Sequence, residues 1–209
     1  MVSLDHYQAY RNAARELNHQ IMDALVERAV LMRAARALDI ARGDTFVFES
    51  DAEMNVLMDY ALYEDRVQGK ALVQVYREQT TALSPLQREL LDGMCQSYTS
   101  LFRITEVQAT ESTLVLADRL QEREDLPLID MMFSRTAAPG MLLFTRVVPL
   151  AGMNMTAGIA FAFPGGSEAH LLRRYKRLGK RVKADTEAAR RLVAFFQLNR
   201  TEGIEVAFA

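Results

Sequence analysis

One cysteine, no tryptophan and five prolines stand among 209 residues, and these scarcities already exclude several kinds of protein. The single thiol, Cys95, rules out an internal disulfide and any metal site built on several thiolates, and reads as a small core residue. No apolar run nears the roughly 18 residues of a membrane span. The start, Met1-Val2-Ser3-Leu4-Asp5-His6, lacks the basic end and apolar stretch of a secretory signal, so a soluble, cytoplasmic chain is expected. Chemistry is equally thin. His6, His19 and His170 are scattered, with no His-Glu motif and no serine or cysteine triad signature around them. His19 with Asp23, and Asp51 with Asn55 and Asp59, have helix spacing that is too common to define a metal site. Gly165-Gly166-Ser167 opens a helix, where free backbone N–H groups hold phosphates, yet the Walker lysine and the Gly-x-Gly-x-x-Gly spacing are both missing. No catalytic residue, metal or cofactor is assigned, and a non-enzymatic protein is expected.

Half of the residues are hydrophobic and a quarter charged, as in an ordinary globular chain. The apolar spacing divides it into three stretches. Residues 1–100 have helical periodicity. From Ser3 to Arg42, Tyr7, Tyr10, Leu17, Ile21, Leu25, Met32, Ala35 and Leu38 recur every three, four or seven residues, which predicts one long helix or two in series, capped by Ser3 and ended by Gly43. About forty residues without a break exceeds the usual helix, so this element packs either along the whole molecule or against a second copy, and a homo-oligomer is expected. Ser50-Asp51-Ala52-Glu53 reads as a capping box before a helix to about Glu64, and another helix is predicted over 67–79. Ser84-Pro85-Leu86-Gln87 combines a cap hydroxyl, a first-turn proline and a capping glutamine. The segment it opens, Leu83 to Leu91, resembles the first helix of a helix-turn-helix, but residues 96–100 lead straight into a strand where the recognition helix is required.

Residues 101–166 alternate with a period of two. Strands are predicted at 101–107, 113–118, 128–134, 141–148 and 153–163, with links short enough for antiparallel neighbours, as a five-stranded meander or small barrel. In residues 167–209, Ser167 caps a final amphipathic helix to about Phe196, packed on both other regions, and Ile204, Val206 and Phe208 alternate as a short terminal strand. The expectation is one compact α+β unit.

Two features carry functional readings. Residues 167–209 hold 10 basic and 5 acidic side chains, against 10 and 15 in residues 1–100. On the predicted last helix, Arg173, Arg174, Lys176, Arg177, Lys180, Arg181, Lys183, Arg190 and Arg191 share one side, opposite Leu171, Tyr175 and Leu178. Such a face attracts nucleic acid, an acidic protein or a membrane surface, or else pairs with the acidic first half of its own chain. In the strands, Arg146 is in phase with Leu142, Phe144 and Val148, and Asp130 with Leu128 and Met132. Each implies an inward charge that finds a partner, Arg146 with Asp130 or Asp118. Alternatively Asp118, Asp130, Arg146 and Arg103 line a polar small-ligand site. Met131, Met132, Met141, Met153 and Met155 are core filler unless they form an exposed strip. The expected function is an interaction or scaffold protein that self-associates. The alternatives are a ligand-binding or enzymatic site in the strands, or a nucleic-acid accessory protein using the basic helix.

Overall fold

The computed structural model describes residues 4–121 and 123–205. Ser3, Val206 and Phe208 lie outside the described residues. The chain forms two compact units, Met1–Ser97 with Leu150–Gly152, and Tyr98–Pro149 with Met153–Ala209.

The first unit is helical: α1 (Leu4–Leu25), α2 (Arg28–Ala37), α3 (Ala52–Asp59, continued by a π-helical turn Tyr60–Glu64), α4 (Leu72–Gln79) and α5 (Pro85–Gln96). Of the two readings, one long helix or two in series, the second forms, because Glu27 turns extended at φ −81°, ψ 160°. Neither glycine nor proline marks the break, so the apolar spacing runs through it unchanged. The buried stripe of α1 is Tyr7, Tyr10, Ala13, Leu17 and Ile21. It is spent inside the unit, against α4 and α5, where the Tyr76 hydroxyl donates to Gln20 Oε1 at 3.2 Å. Burial, then the carboxylate of Glu89 on α5, push the Tyr10 hydroxyl up to about 12.

Gly43 does not end a helix. It supplies the positive φ of 61° at the first loop position of a hairpin pairing Ala41–Arg42 with Thr45–Phe46. Gln68 and Gly69, both at positive φ, close a second hairpin between Arg66–Val67 and Lys70–Ala71. That hairpin takes up the first residues of the helix predicted from Val67, so α4 starts at Leu72. At α3 the box is shifted: Glu53 reaches back to the Glu49 N–H rather than to Ser50, and no side chain caps the Asp51 position. At α5 it is complete, with Gln87 N donating to Ser84 Oγ and Ser84 N to Gln87 Oε1.

The second unit holds one antiparallel sheet of β1 (Tyr98–Gln108), β2 (Thr113–Asp118), β3 (Leu126–Ile129), β4 (Leu142–Leu150) and β5 (Met153–Phe163), in the order β3-β2-β1-β4-β5. It is not a simple meander. β4 returns beside β1 rather than β3, pairing Ser100 with Thr145 and Phe102 with Leu143. The predicted third strand ends at Ile129 because Asp130 Oδ1 accepts from the N–H groups of Met132 and Phe133, nucleating the short helix α6 (Phe133–Thr136). That turn carries the chain across to β4.

The sheet curls but does not close into a barrel. Across the seam between its edges, Asn154 Nδ2 donates to the Pro127 carbonyl at 2.9 Å and the Thr156 hydroxyl to Asp130 Oδ2 at 3.2 Å. The inner face collects Phe102, Ile104, Leu114, Leu116, Leu128, Leu143 and Val147 around Phe133. The outer face of β4 and β5 is covered by α8 (Glu187–Glu202): Phe195 stacks on Phe144 at 4.3 Å between centroids, and Phe196 meets Phe161 at 6.1 Å. Helix α7 (Glu168–Gly179) lies on α8, Tyr175 stacking on Phe195 at 4.8 Å. Beyond Phe163 the chain turns tightly, and a Cβ on Gly165 would stand 2.0 Å from the Gly140 carbonyl oxygen, so only glycine fits.

The predicted final helix is two helices, parted by residues 180–186. Ser167 does not cap α7 by its side chain; its hydroxyl donates to the Pro164 carbonyl. Of the terminal strand, Ile204 makes one antiparallel bridge to Ala162. Met153 and Met155 are buried and Met131, Met132 and Met141 half-buried, so no exposed methionine strip forms. No helix among the described residues is long and apolar enough to cross a membrane.

Candidate functional site

Four strand residues and nine cations were singled out by the sequence, and the fold disperses the first group. Asp118 pairs in register with Phe102, which faces inward with Leu143, whereas Arg146 pairs with Thr99, one residue out of phase. Asp118 and Arg146 therefore stand on opposite faces of the sheet. Asp118 Oδ1 accepts from the Ser100 hydroxyl at 2.6 Å and from the N–H groups of Leu120 and Gln121 at 2.9 Å each, which fixes the turn leaving β2. Its Oδ2 is buried without a hydrogen-bond partner among the described residues. Asp130 is occupied by Met132 N, Phe133 N and Thr156. These carboxylates do the work of turns and of the seam. At the same end of β1, Arg123 lies 3.8 Å above the Tyr98 ring, and burial raises the Tyr98 hydroxyl from its ordinary value. Among the described residues no group of three or more His, Cys, Asp or Glu is placed to hold a metal ion.

Arg103 belongs to a different cluster. With Arg119 it clamps the carboxylate of Glu168, the first residue of α7; Arg119 Nε stands 2.7 Å from Oε1, and Arg103 donates through Nε and Nη2 to Oε2. Burial pushes a carboxyl up, but the hydrogen bonds from Arg119 and Arg103 outweigh it and hold Glu168 below the usual carboxylate range. This clamp fastens the start of α7 to the sheet. Neither Glu168 nor Arg119 stood out in the sequence; the available sign was an acidic residue in the first turn of a basic helix.

The nine cations separate by environment. Arg191 is buried, donating from Nη1 to the Thr99 carbonyl at 2.6 Å and from Nη2 to Glu187. Arg190 is half-buried and donates to the Ala184 carbonyl. Arg174 is taken by Glu202, which also lies 3.6 Å from His170 Nε2. The other six, Arg173, Lys176, Arg177, Lys180, Arg181 and Lys183, are exposed, and among the described residues none makes an ion pair. The N–H groups of Arg181 and Val182 both bond the Leu178 carbonyl, so the helical course of α7 carries on for a further turn. Arg173, Arg177 and Arg181 recur every fourth residue, spanning about 12 Å along the axis, with Lys176 and Lys180 in a parallel row. Leu171, fully buried, and Tyr175 mark the opposite side, turned onto α8.

Taken together, these features define an α+β protein with a helical first unit and a curled antiparallel sheet, in which α7 and the turn after it present a row of exposed cations that make no ion pair among the described residues. The chain belongs to the family of unknown function DUF7986, whose model matches residues 1–209. No curated protein and no solved structure matches it.

Proposed function

We propose that this is a non-enzymatic interaction protein that docks a polyanionic partner on the outer face of α7. The observation that carries the reading is the division among the cations. Three are spent inside the fold, and six are held outward, Arg173, Lys176 and Arg177 on α7 and Lys180, Arg181 and Lys183 on the segment that follows it, where the helix's apolar side is already engaged. Unpaired cations at a spacing of one helical turn sum to a positive field that reaches about a Debye length, ~8–10 Å, into solution. Within their own unit none of these six makes an ion pair among the described residues, which supports the reading over one in which acidic groups absorb them. Self-association draws less support, since the apolar stripe of α1 is consumed by its own unit.

Retention on immobilised heparin tests this. The protein is expected to bind at low salt and to elute earlier when Arg177→Glu and Lys180→Glu are combined. Passage of the unaltered protein in the flow-through at low salt would rule the reading out.

A further inference from the structure

We infer that the polyanion is duplex nucleic acid, held by its phosphate backbone without reading of base sequence. This rests on the polyanion reading above and narrows it by what the α7 face lacks.

A stable protein–protein contact needs a desolvated apolar or aromatic centre within its polar rim. Among the described residues the exposed large hydrophobic ones are Leu4, Val47, Met54 and Ile204, and none is on α7. An acidic protein would meet charges with no anchor. A membrane surface is disfavoured for the complementary reason. An interfacial helix buries its apolar side in lipid, and here Leu171 and Tyr175 are committed to α8. Single strands are bound largely by stacking bases on aromatic rings, yet α7 has no Phe or Trp, its Tyr175 is stacked on Phe195, and its His170 lies beside Glu202.

A duplex backbone asks only for cations in a line, since binding comes from release of condensed counterions. The arginine row supplies planar donors suited to phosphate oxygens, and the lysine row supplies mobile point charges beside it. The outer face of β2 and β3 is no rival surface. Its residues there are Thr113, Val115, Ala117, Pro127 and Ile129, which offer neither a cation nor an aromatic ring.

Fluorescence anisotropy of the full chain with two short labelled duplexes of unrelated sequence, a single strand of equal length and polyglutamate decides the matter. The duplexes are expected to bind equally well and more tightly than the single strand or polyglutamate. The slope of log K against log salt should be no steeper than about −5, since each neutralised phosphate contributes about 0.9. Arg173→Glu with Arg177→Glu and Arg181→Glu should flatten the slope by about 3 on the same count. Arg15→Glu, an equal charge change per site on the exposed side of α1, should leave the slope unaltered. Polyglutamate or anionic vesicles binding as tightly as duplex would overturn the nucleic-acid assignment while leaving the polyanion reading intact. A preference for the single strand, or discrimination between the two duplexes, would also overturn it. Failure to bind any of them would remove both.

Discussion

Helices α7 and α8 come from one stretch of sequence with one pattern, cations and apolar residues at helical spacing, and they end in opposite environments. In α8 the arginine at 191 lies under the helix and satisfies a backbone carbonyl of β1. In α7 the cations at 173, 176 and 177 meet water. The difference lies in what each helix packs against. α8 rests on the sheet and must bury most of its surface, so Ala189, Leu192, Val193, Phe195, Phe196 and Leu198 are all inside and Arg191 goes in among them. α7 rests on α8 and buries one residue fully, Leu171. Position in the layer order, more than residue type, decides whether an arginine is a structural group or a free charge.

Substitutions along the two helices break the comparison in graded steps. The largest effect is expected from Phe195→Ala, which empties the stack joining Phe144, Phe195 and Tyr175 and releases α7 along with α8. Chemical denaturation should show a loss of about 3–5 kcal/mol. A value below ~1 kcal/mol would mean that this stack does not join the layers.

Arg191→Met should rank next, at about 1–3 kcal/mol, because it leaves the Thr99 carbonyl without its donor while keeping much of the buried volume. An unchanged midpoint would show that this arginine is as dispensable as those of α7.

Glu168→Gln should cost about 1 kcal/mol at neutral pH, since the two arginines that clamp it are partly solvated and screened. Its sign can be read against pH. The folded-state pKa of Glu168 is depressed, so its contribution is present above the unfolded carboxyl value near ~4.3 and is lost as pH falls through the folded value. The variant should have a flatter acid limb than the parent below about pH 4. Parallel limbs would dismiss the clamp.

The smallest change in stability belongs to Arg177→Met, within about 0.5 kcal/mol of the parent. The same variant should still weaken heparin retention, so stability and binding part company on α7. If it destabilised the fold as much as Arg191→Met, the two helices would not differ in the way their layers imply.

Much of this architecture was legible beforehand. The Ser84-Pro85-Leu86-Gln87 start formed as read, since every group it needs is local. The alternating block became a five-stranded antiparallel sheet, with its second and fifth strands at the predicted residues. Two errors in the sheet share one cause. Met131 and Met132 continue an apolar alternation, but Asp130 folds back on their N–H groups, and the chain crosses to the far side of β1. The helical spacing extends over residues 67–71, and Gln68 lacks the usual sign of the positive-φ turn it makes there. The site was legible as a composition of charges and not as a place. Nothing within residues 173–191 distinguishes Arg177 from Arg191, and the residues that hold α7 down, Arg103, Arg119 and Glu202, are far from it in sequence.

The amino-acid order alone determined which segments alternate and which coil, where the strongest helix cap lies, and that positive charge gathers in the last forty-three residues. These are short-range properties, set by side-chain period and local hydrogen bonds. Which strand lies beside which, where the final helix breaks, and which cations remain in water were decided by the tertiary structure. Those outcomes depend on burial against residues distant in the chain, and no local pattern records it.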